Sequence, residues 1–284
     1  MKLTAAFLIS PLNSGNDNPV RLPEILSAGG WDVTMCDHEQ MSMTNADVYL
    51  GTHLANQFNL IWPLGFGPRQ SFADRLQMLH LLDSKKLINH PSTYTWAHGK
   101  GAWLAFAPAS MISNRPEQLI TFMQANGGEW VLKPSAGSFG EHVQQIDSAA
   151  DINRILGTHP GYWVLQRFIP DIRCGETRTL ICGDEILGSY LRVPTEALRA
   201  NLAQQGEAKP VAVDQPTQTL IDSVHQQLID AHVGFASIDT VGGYLMEVNV
   251  ANPGGLATLA EVYGETFDTD MRARLLKALA RRFS

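Results

Sequence analysis

The amino-acid sequence predicts an α/β protein in which a small N-terminal α/β domain precedes two α+β units. A strand–helix–strand pattern over residues 3–36 indicates a small parallel sheet. Further on, a strand running into a lysine and a Gly/Ser loop occupies 129–143, and two hairpins separated by a helix occupy 177–250. We therefore expect three domains, with the bounds 1–88, 89–165 and 166–284.

The bulk composition is that of an ordinary globular protein, with 284 residues of which 44% are hydrophobic and 17% charged. The net charge of −7 argues against a broad nucleic-acid-binding surface. Cys36, Cys174 and Cys182 form no CxxC pair, so we expect reduced thiols and a cytoplasmic protein. The apolar run near Met1 is short for a signal peptide, and no stretch has the length of a membrane span, so no membrane partner is expected.

The N-terminal domain is expected to alternate strands with a helix. Residues 3–9 and 31–36 are predicted strands, and 21–28 is a predicted helix that ends at two glycines. Residues 47–50 are a candidate third strand. By contrast, 56–70 contains a run of prolines and glycines around Trp62 and is predicted to be an ordered surface loop.

Two lysines are candidates for phosphate binding. Lys133 ends a strand and precedes a loop of small residues, whose backbone N–H groups can approach phosphate oxygens. The alternative for this segment is a glycine-containing hairpin turn. Lys100 lies in a predicted helix over 92–106, and here the alternative is a lysine that extends its ammonium group into solvent.

Two arginines lie in a predicted hairpin over residues 177–192, which turns at Gly183-Asp184. The guanidinium groups of Arg178 and Arg192 suit bidentate binding of a carboxylate or phosphate, while ordinary surface arginines remain the alternative. Residues 195–210 show no strong periodicity and are predicted to form a mobile loop.

A second predicted hairpin, over residues 237–250, carries the candidate metal ligands. Strand side chains alternate between faces, so Glu247 and Asn249 point to one side, and Asp239 reaches them from the preceding strand. Two carboxylates and an amide oxygen suit Mg²⁺. A two-stranded ribbon with a solvated polar face explains the same alternation.

Together these segments resemble the ATP-grasp superfamily, and within it the bacterial glutathione synthetases and the RimK-like carboxylate–amine ligases. The resemblance extends over the chain from about residue 87. Four motifs carry it, in the family's order and at comparable spacing. They are Val131-Leu132-Lys133-Pro134 with the Gly/Ser loop, Arg178-Thr179-Leu180 with Gly183-Asp184-Glu185, Arg192-Val193-Pro194 with Arg199-Ala200-Asn201-Leu202-Ala203, and Ser237-Ile238-Asp239 with Met246-Glu247-Val248-Asn249-Val250.

The resemblance implies that ATP binds between a central and a C-terminal domain beneath the glycine-containing loop. It also implies a role for particular residues. Lys100 and Lys133 would contact phosphates, and Asp239, Glu247 and Asn249 would bind Mg²⁺, or alternatively Mn²⁺. The remaining residues are implied to close over ATP (Gly137, Ser138, Phe139, Gly140), to line the adenine pocket (Gln166, Arg167, Phe168, Ile169), to hold the substrate or acyl-phosphate (Arg178, Arg192), and to close over the acceptor (Arg199, Asn201).

The activity implied is ATP-dependent ligation of a carboxylate to an amine through an acyl-phosphate, with an amino acid or short peptide as substrate and a homo-oligomeric enzyme. Two alternatives are a RimK-like ligase acting on a peptide or metabolite and a non-catalytic ATP-binding protein. The chain departs from the family at 251–255, where Ala-Asn-Pro-Gly-Gly replaces the usual Ser/Thr-Pro pair, and the first 86 residues also differ. The identities of the donor and acceptor therefore stay open.

Overall fold

The computed structural model describes residues 2–10, 16–45, 47–136, 142–194 and 206–282. The N-terminal part of the chain contains six strands and two α-helices within the described residues. The elements are β1 (Thr4–Ile9), α1 (Asn18–Ala28), β2 (Asp32–Asp37), β3 (Met41–Thr44), β4 (Asp47–Leu50), β5 (His53–Leu54), β6 (Leu60–Pro63) and α2 (Phe72–His80).

The predicted parallel N-terminal sheet is present, but its third strand differs from the expected one. β1 pairs in parallel with β2 on one side and with β6 on the other. Residues 47–50 do form a strand, β4, but it belongs to a separate antiparallel sheet with β3 and β5. The prediction of a surface loop over 56–70 is wrong for β6, because its apolar residues are buried despite the flanking turn formers.

The rest of the described chain contains the two larger sheets. Its elements are α3 (Thr93–Trp96), β7 (Ser110–Ser113), α4 (Pro116–Asn126), β8 (Trp130–Pro134), β9 (Gln144–Ile146), α5 (Ala149–Thr158), β10 (Trp163–Arg167), β11 (Glu176–Cys182), β12 (Glu185–Val193), β13 (Glu207–Pro210), α6 (Gln215–Asp230), β14 (Phe235–Val241), β15 (Tyr244–Asn249), α7 (Leu256–Tyr263) and α8 (Glu265–Arg282).

Two local predictions in this part are wrong. The helix expected over 92–106 is reduced to α3 and a 3-10 turn over Lys100–Trp103, because Gly99 has an extended backbone between them. The loop expected over 195–210 ends in β13, which extends the edge of a sheet beside β12. Residues 195–205 of that loop lie outside the described residues.

The central sheet has the strand order β7-β10-β8-β9 and is antiparallel throughout. Apolar side chains from α4 and α5 pack on one of its faces around Trp130 and Leu165. The opposite face carries alternate residues such as Lys133 and Gln166. The predicted domain boundary after residue 165 falls within β10, whose last paired residue is Arg167.

The C-terminal sheet is also antiparallel, with the order β13-β12-β11-β14-β15. Helix α6 packs on one face, where Ile221 and Leu228 meet Ile238. On the other face α7 and α8 share a hydrophobic core with the N-terminal domain, as Phe7 and Trp62 show. Within the described ranges, no helix has both the length and the apolar character needed to cross a bilayer. The N-terminal and C-terminal parts of the chain share the hydrophobic core on the α7–α8 face of this sheet. The candidate site lies on the polar part of the same face.

Candidate active site

The candidate metal ligands lie on one face of the β14–β15 hairpin. The turn is Gly242-Gly243, both of which have positive φ, 55° and 79°. Asp239 pairs with Glu247 across the two strands. Residues directly opposite each other in a sheet point to the same face, so the predicted convergence of Asp239 and Glu247 is present.

Asp239 is enclosed by two arginines from the neighbouring strands. Nε and Nη2 of Arg178 donate to its Oδ1 and Oδ2 at 2.8 and 2.7 Å. Nη2 of Arg192 donates to Oδ2 at 2.8 Å and also to the carboxylate of Glu176. Burial alone would raise the pKa of Asp239, whose exposure is 0%, but the charges of Arg178 and Arg192 hold that pKa below its ordinary value. We call Glu176, Arg178, Arg192 and Asp239 the buried ion cluster.

Glu247 has different surroundings from Asp239. Its side chain is 34% exposed, and the ammonium group of Lys100 lies 3.4 Å from its Oε1. Lys100 reaches this position from the 3-10 turn that replaced the predicted helix. One carboxylate is therefore held internally by arginines, while the other is open to solvent beside a lysine.

Lys133, at the end of β8, lies on the face of the central sheet that the helices leave uncovered. Its ammonium group donates to Oε1 of Gln166 at 2.8 Å. Burial, with a smaller contribution from the charge of Lys100, lowers the pKa of Lys133 to about 8. Glu247 and Glu176 act on the same group in the opposite direction. Lys133 is therefore near enough to Lys100, Glu247 and Glu176 for their charges to affect its pKa.

The four residues predicted to line the adenine pocket do not share one environment. Gln166 is buried beside Lys133 and donates from Nε2 to Ser110 Oγ at 3.0 Å. Because strand residues alternate, Arg167 lies on the opposite face, where its guanidinium donates to the carbonyl of Asn126 at 2.6 Å and stacks on Trp130. The side chain of Arg167 therefore binds the C-terminal end of α4 and is directed away from the Lys133 face.

Phe168 and Ile169 follow β10 directly, and Phe168 is buried with the guanidinium of Arg173 over its ring. The adenine-pocket role of these residues stays a prediction. Six other predicted site residues lie outside the described residues: Gly137, Ser138, Phe139, Gly140, Arg199 and Asn201.

The donor chemistry of the hairpin suits a hard divalent cation. Among the described residues, no group of three or more His, Cys, Asp or Glu side chains forms a closed metal site. The Glu247 carboxylate and the Asn249 amide oxygen, which accepts from the N–H of Ala251 at 3.2 Å, suit the open type of site, in which Mg²⁺ keeps positions for phosphate oxygens and water. Glu247 is accessible for this role, whereas Asp239 has committed both oxygens to guanidinium groups.

Sequence reasoning missed Glu176, the fourth member of the buried ion cluster. Burial raises the pKa of its carboxyl, although Arg192 opposes that effect. Glu176 precedes Arg178 by two residues on β11, so both side chains lie on one face. Its position two residues before Arg178 on a predicted strand is the sequence signal that could have identified Glu176.

Comparisons with known proteins identify the family to which the chain belongs. The family described as prokaryotic glutathione synthetase, ATP-grasp domain, matches residues 101–264, more than half of the chain. Glutathione synthetase from Synechococcus elongatus is 26% identical, over 98% of this chain and 99% of that protein.

Two solved structures share the fold over almost the whole chain. D-cycloserine synthetase DcsG superposes with a TM-score of 0.71 at 16% identity, covering 99% of this chain and 100% of that one. A RimK domain ATP-grasp protein from Sphaerobacter thermophilus gives 0.67 at 17% identity, covering 96% and 98%. The predicted α/β ATP-grasp class is confirmed. The chain belongs to the prokaryotic glutathione synthetase ATP-grasp family and is an ATP-grasp carboxylate–amine ligase.

Proposed function

We propose that this ligase joins a small carboxylate to an amine, forming an amide or peptide bond through an acyl-phosphate intermediate. The convergence of Lys100 and Lys133 with Glu247 beside the buried ion cluster is the observation that carries the proposal. It brings cations suited to phosphates next to carboxylates suited to a divalent ion. By analogy with the glutathione synthetases, the substrates are an amino acid or a short peptide.

The chemistry explains why such a site is needed. A carboxylate is a poor electrophile, so one of its oxygens first attacks the γ-phosphorus of ATP, and ADP leaves. The amine nitrogen then attacks the acyl carbon, phosphate leaves, and the nitrogen loses a proton to give the amide. No nucleophilic side chain is required. The task of the protein is to hold the reactants and stabilise the charge that develops.

The residues divide between the two halves of this task. Lys133 and Lys100 would bind the phosphate oxygens of ATP, with Lys133 oriented by Gln166. Arg178 and Arg192 would stabilise negative charge on the transferring group from within the buried ion cluster. Arg199 and Asn201 would exclude water from the acyl-phosphate on the acceptor side.

The family uses ATP with a divalent metal ion, for which Glu247, Asn249 and Asp239 are the proposed ligands. Mg²⁺ is the proposed ion and Mn²⁺ the alternative. Such an ion would neutralise charge on the phosphate oxygens. We further propose a cytoplasmic homo-oligomer with domains 1–88, 89–165 and 166–284, the second boundary falling at the end of β10.

A substrate panel tests the proposal. The protein is incubated with Mg²⁺-ATP and pairs drawn from amino acids and γ-glutamyl dipeptides, while ADP release and the amide product are measured by coupled assay and mass spectrometry. We expect ADP release that depends on both substrates and equals the amide formed. Glutamate addition to a peptide would instead identify a RimK-like ligase. ATP binding without turnover across the panel would favour a non-catalytic protein and contradict the proposal.

A further inference from the structure

Side-chain amides join the N-terminal domain to the turn that follows β15. Asn16 donates from Nδ2 to the main-chain carbonyl of Asn252 at 2.6 Å. Asn18 donates from Nδ2 both to Oδ1 of Asn252 at 2.8 Å and to the carbonyl of Pro253 at 2.9 Å. We call Asn16, Asn18 and Asn252 the amide clamp. These contacts connect segments more than 230 residues apart in the chain.

The clamp leads directly to the buried ion cluster. The next carbonyl of the turn, that of Gly254, accepts from Nη1 of Arg178 at 3.2 Å. The same guanidinium holds both oxygens of Asp239 through Nε and Nη2. Three successive carbonyls of the turn are thus bound by side chains. Asn18 and Asp239 are connected through Pro253, Gly254 and Arg178.

The turn is also packed closely against the clamp. A Cβ atom at Gly254 would lie 3.3 Å from Nδ2 of Asn16, which is tighter than ordinary van der Waals contact. On the other side of the turn, Asp17 accepts from the N–H of Ala257 at 3.0 Å, in the first turn of α7. The turn therefore has little room to shift while residues 16–18 stay in place.

Asn18 is fully buried, and its amide is not satisfied. Its exposure is 0%, and while Nδ2 makes two hydrogen bonds, Oδ1 has no hydrogen-bond partner among the residues that the structure describes. A buried acceptor without a partner is costly relative to an apolar side chain of similar shape. The unpaired acceptor therefore suggests a role for this amide other than stability. Its two hydrogen bonds, to Oδ1 of Asn252 and to the main-chain carbonyl of Pro253, indicate what that role is.

We propose that Asn18 is a positioning residue for ligation: by holding the turn at Pro253, it fixes the guanidinium of Arg178 against Asp239. The inference rests on the proposed ligase function, because Arg178 is assigned there to the transferring group. The N-terminal domain would in this way control the geometry of a charge on the C-terminal sheet. Arg178 itself is a poor test position, since its removal leaves the buried carboxylates of Asp239 and Glu176 to share the single guanidinium of Arg192.

The test compares Asn18→Asp with Arg21→Ala. Asn18→Asp keeps the shape but replaces the Nδ2 donor with an oxygen that faces the Pro253 carbonyl. Arg21 lies on the same helix and pairs with Asp268 of α8 across the same domain interface, and among the described residues its side chain makes no hydrogen bond or ion pair with the turn. Both variants lose interface contacts, and thermal unfolding is used to check that each variant folds. Asn18→Ser serves as the second variant if Asn18→Asp does not fold.

We expect Asn18→Asp to lower kcat by ~10- to 100-fold, the range found for groups that orient a charged ligand. KM for ATP should stay within about twofold, because the clamp does not contact Lys100 or Lys133. ADP release should also exceed amide formation. Arg21→Ala should keep kcat. If Asn18→Asp retains kcat and coupling in a ligating enzyme, Asn18 is only an interface residue and the inference is overturned.

A binding measurement separates this inference from the proposed function. Mn²⁺ affinity is measured by electron paramagnetic resonance in the presence of a non-hydrolysable ATP analogue. Misplacing Arg178 alters the charge around Asp239, so we expect ~10-fold weaker Mn²⁺ binding in Asn18→Asp and wild-type binding in Arg21→Ala. Wild-type protein that never ligates refutes the proposed function. In that case the Mn²⁺ affinity of Asn18→Asp is the remaining test of the positioning role of Asn18, and an unchanged affinity would refute that role as well.

Discussion

Asp239 and Glu247 face each other across two strands, yet only Glu247 is open to solvent, and of these two carboxylates only Asp239 is paired with guanidinium groups within the described residues. We expect Glu247→Gln to weaken divalent-metal binding and to lower kcat by ~100-fold or more, because the amide carries no charge. Steady-state kinetics over a range of Mg²⁺ concentrations measures both effects. Glu261→Gln, an exposed position on α7, is the matched control. Near-normal activity of Glu247→Gln would remove Glu247 from the metal site.

The lowered pKa of Lys133 gives a pH dependence that the proposal must satisfy. With a pKa of about 8 in the free enzyme, the ammonium group is lost as pH rises through 8. We expect kcat/KM for ATP to fall above pH 8, approaching ~10-fold per pH unit, since this ratio reports on ionisations of the free enzyme. Lys133→Arg stays charged over the same range. Its profile, relative to its own maximum, should therefore lack the decline.

The lowered pKa of Lys133 also makes the free energy of unfolding depend on pH. Between pH 8 and 10.5 the folded protein binds fewer protons at Lys133 than the unfolded chain does. The free energy of unfolding therefore rises with pH in that window. Below pH 8 the buried ammonium group of Lys133 is charged and destabilises the folded protein. We expect Lys133→Met to be more stable than wild type at pH 7, and the difference to shrink towards pH 10. Thermal unfolding at several pH values measures it, and a difference that grows with pH would contradict the burial of Lys133.

At the scale of the elements, the β14–β15 hairpin depends on a turn that suits glycine. Gly242 has φ 55°, and a Cβ there would lie 2.6 Å from Oδ2 of Asp171. We expect Gly242→Ala to lower the free energy of unfolding by ~1–2 kcal/mol, the cost of left-handed backbone for an L-residue. At Gly243, φ is 79° and a Cβ meets nothing within 4 Å. Gly243→Asn should cost less, because asparagine tolerates this conformation, and denaturant unfolding of both variants gives the comparison.

The hairpins were predictable from sequence because their information is local. Period-two alternation around Gly183-Asp184 and Gly242-Gly243 is contained within each segment, and both hairpins are present. β6 was not predictable in this way, since its burial comes from pairing with β1 and from packing of Trp62 on Phe7 and Phe235. The helix predicted through Lys100 is interrupted at Gly99, and its apolar residues Ala97 and Trp103 pack on the C-terminal sheet from two short helical turns.

The site shows the same division between local and long-range information. Glu247 and Asn249 follow from strand alternation, and the lysines from the family resemblance. The pairing of Arg178 with Asp239 depends on the register between β11 and β14, which joins residues 61 positions apart. No local pattern specifies that register. It places two positive charges on a predicted metal ligand, a feature that residue types alone do not indicate.

At the scale of the whole molecule, Asn89 binds the C-terminal sheet directly after Leu87 and Ile88, which contact Ile61 of β6 in the N-terminal sheet. Its Oδ1 accepts from the N–H groups of Gly234 and Phe235 at 2.6 and 2.7 Å. Its Nδ2 donates to the carbonyls of Phe235 and Val250, both at 2.7 Å. One buried amide thus binds the start of β14 and the residue after β15. It therefore holds the strand ends on either side of the β14–β15 hairpin.

We expect Asn89→Ala to lower the free energy of unfolding by ~3 kcal/mol or more, because several buried backbone groups lose their partner together. Asn126→Ala, which removes a hydrogen bond within α4 alone, is the control and should cost well under half as much. Denaturant unfolding followed by tryptophan fluorescence and by circular dichroism measures both. Since Asn89 binds the C-terminal sheet and directly follows the residues that contact β6, the transitions followed by the two probes should separate in Asn89→Ala if the domains begin to unfold independently. Coincident transitions with a loss below ~1 kcal/mol would show that the shared hydrophobic core, and not Asn89, holds the domains together.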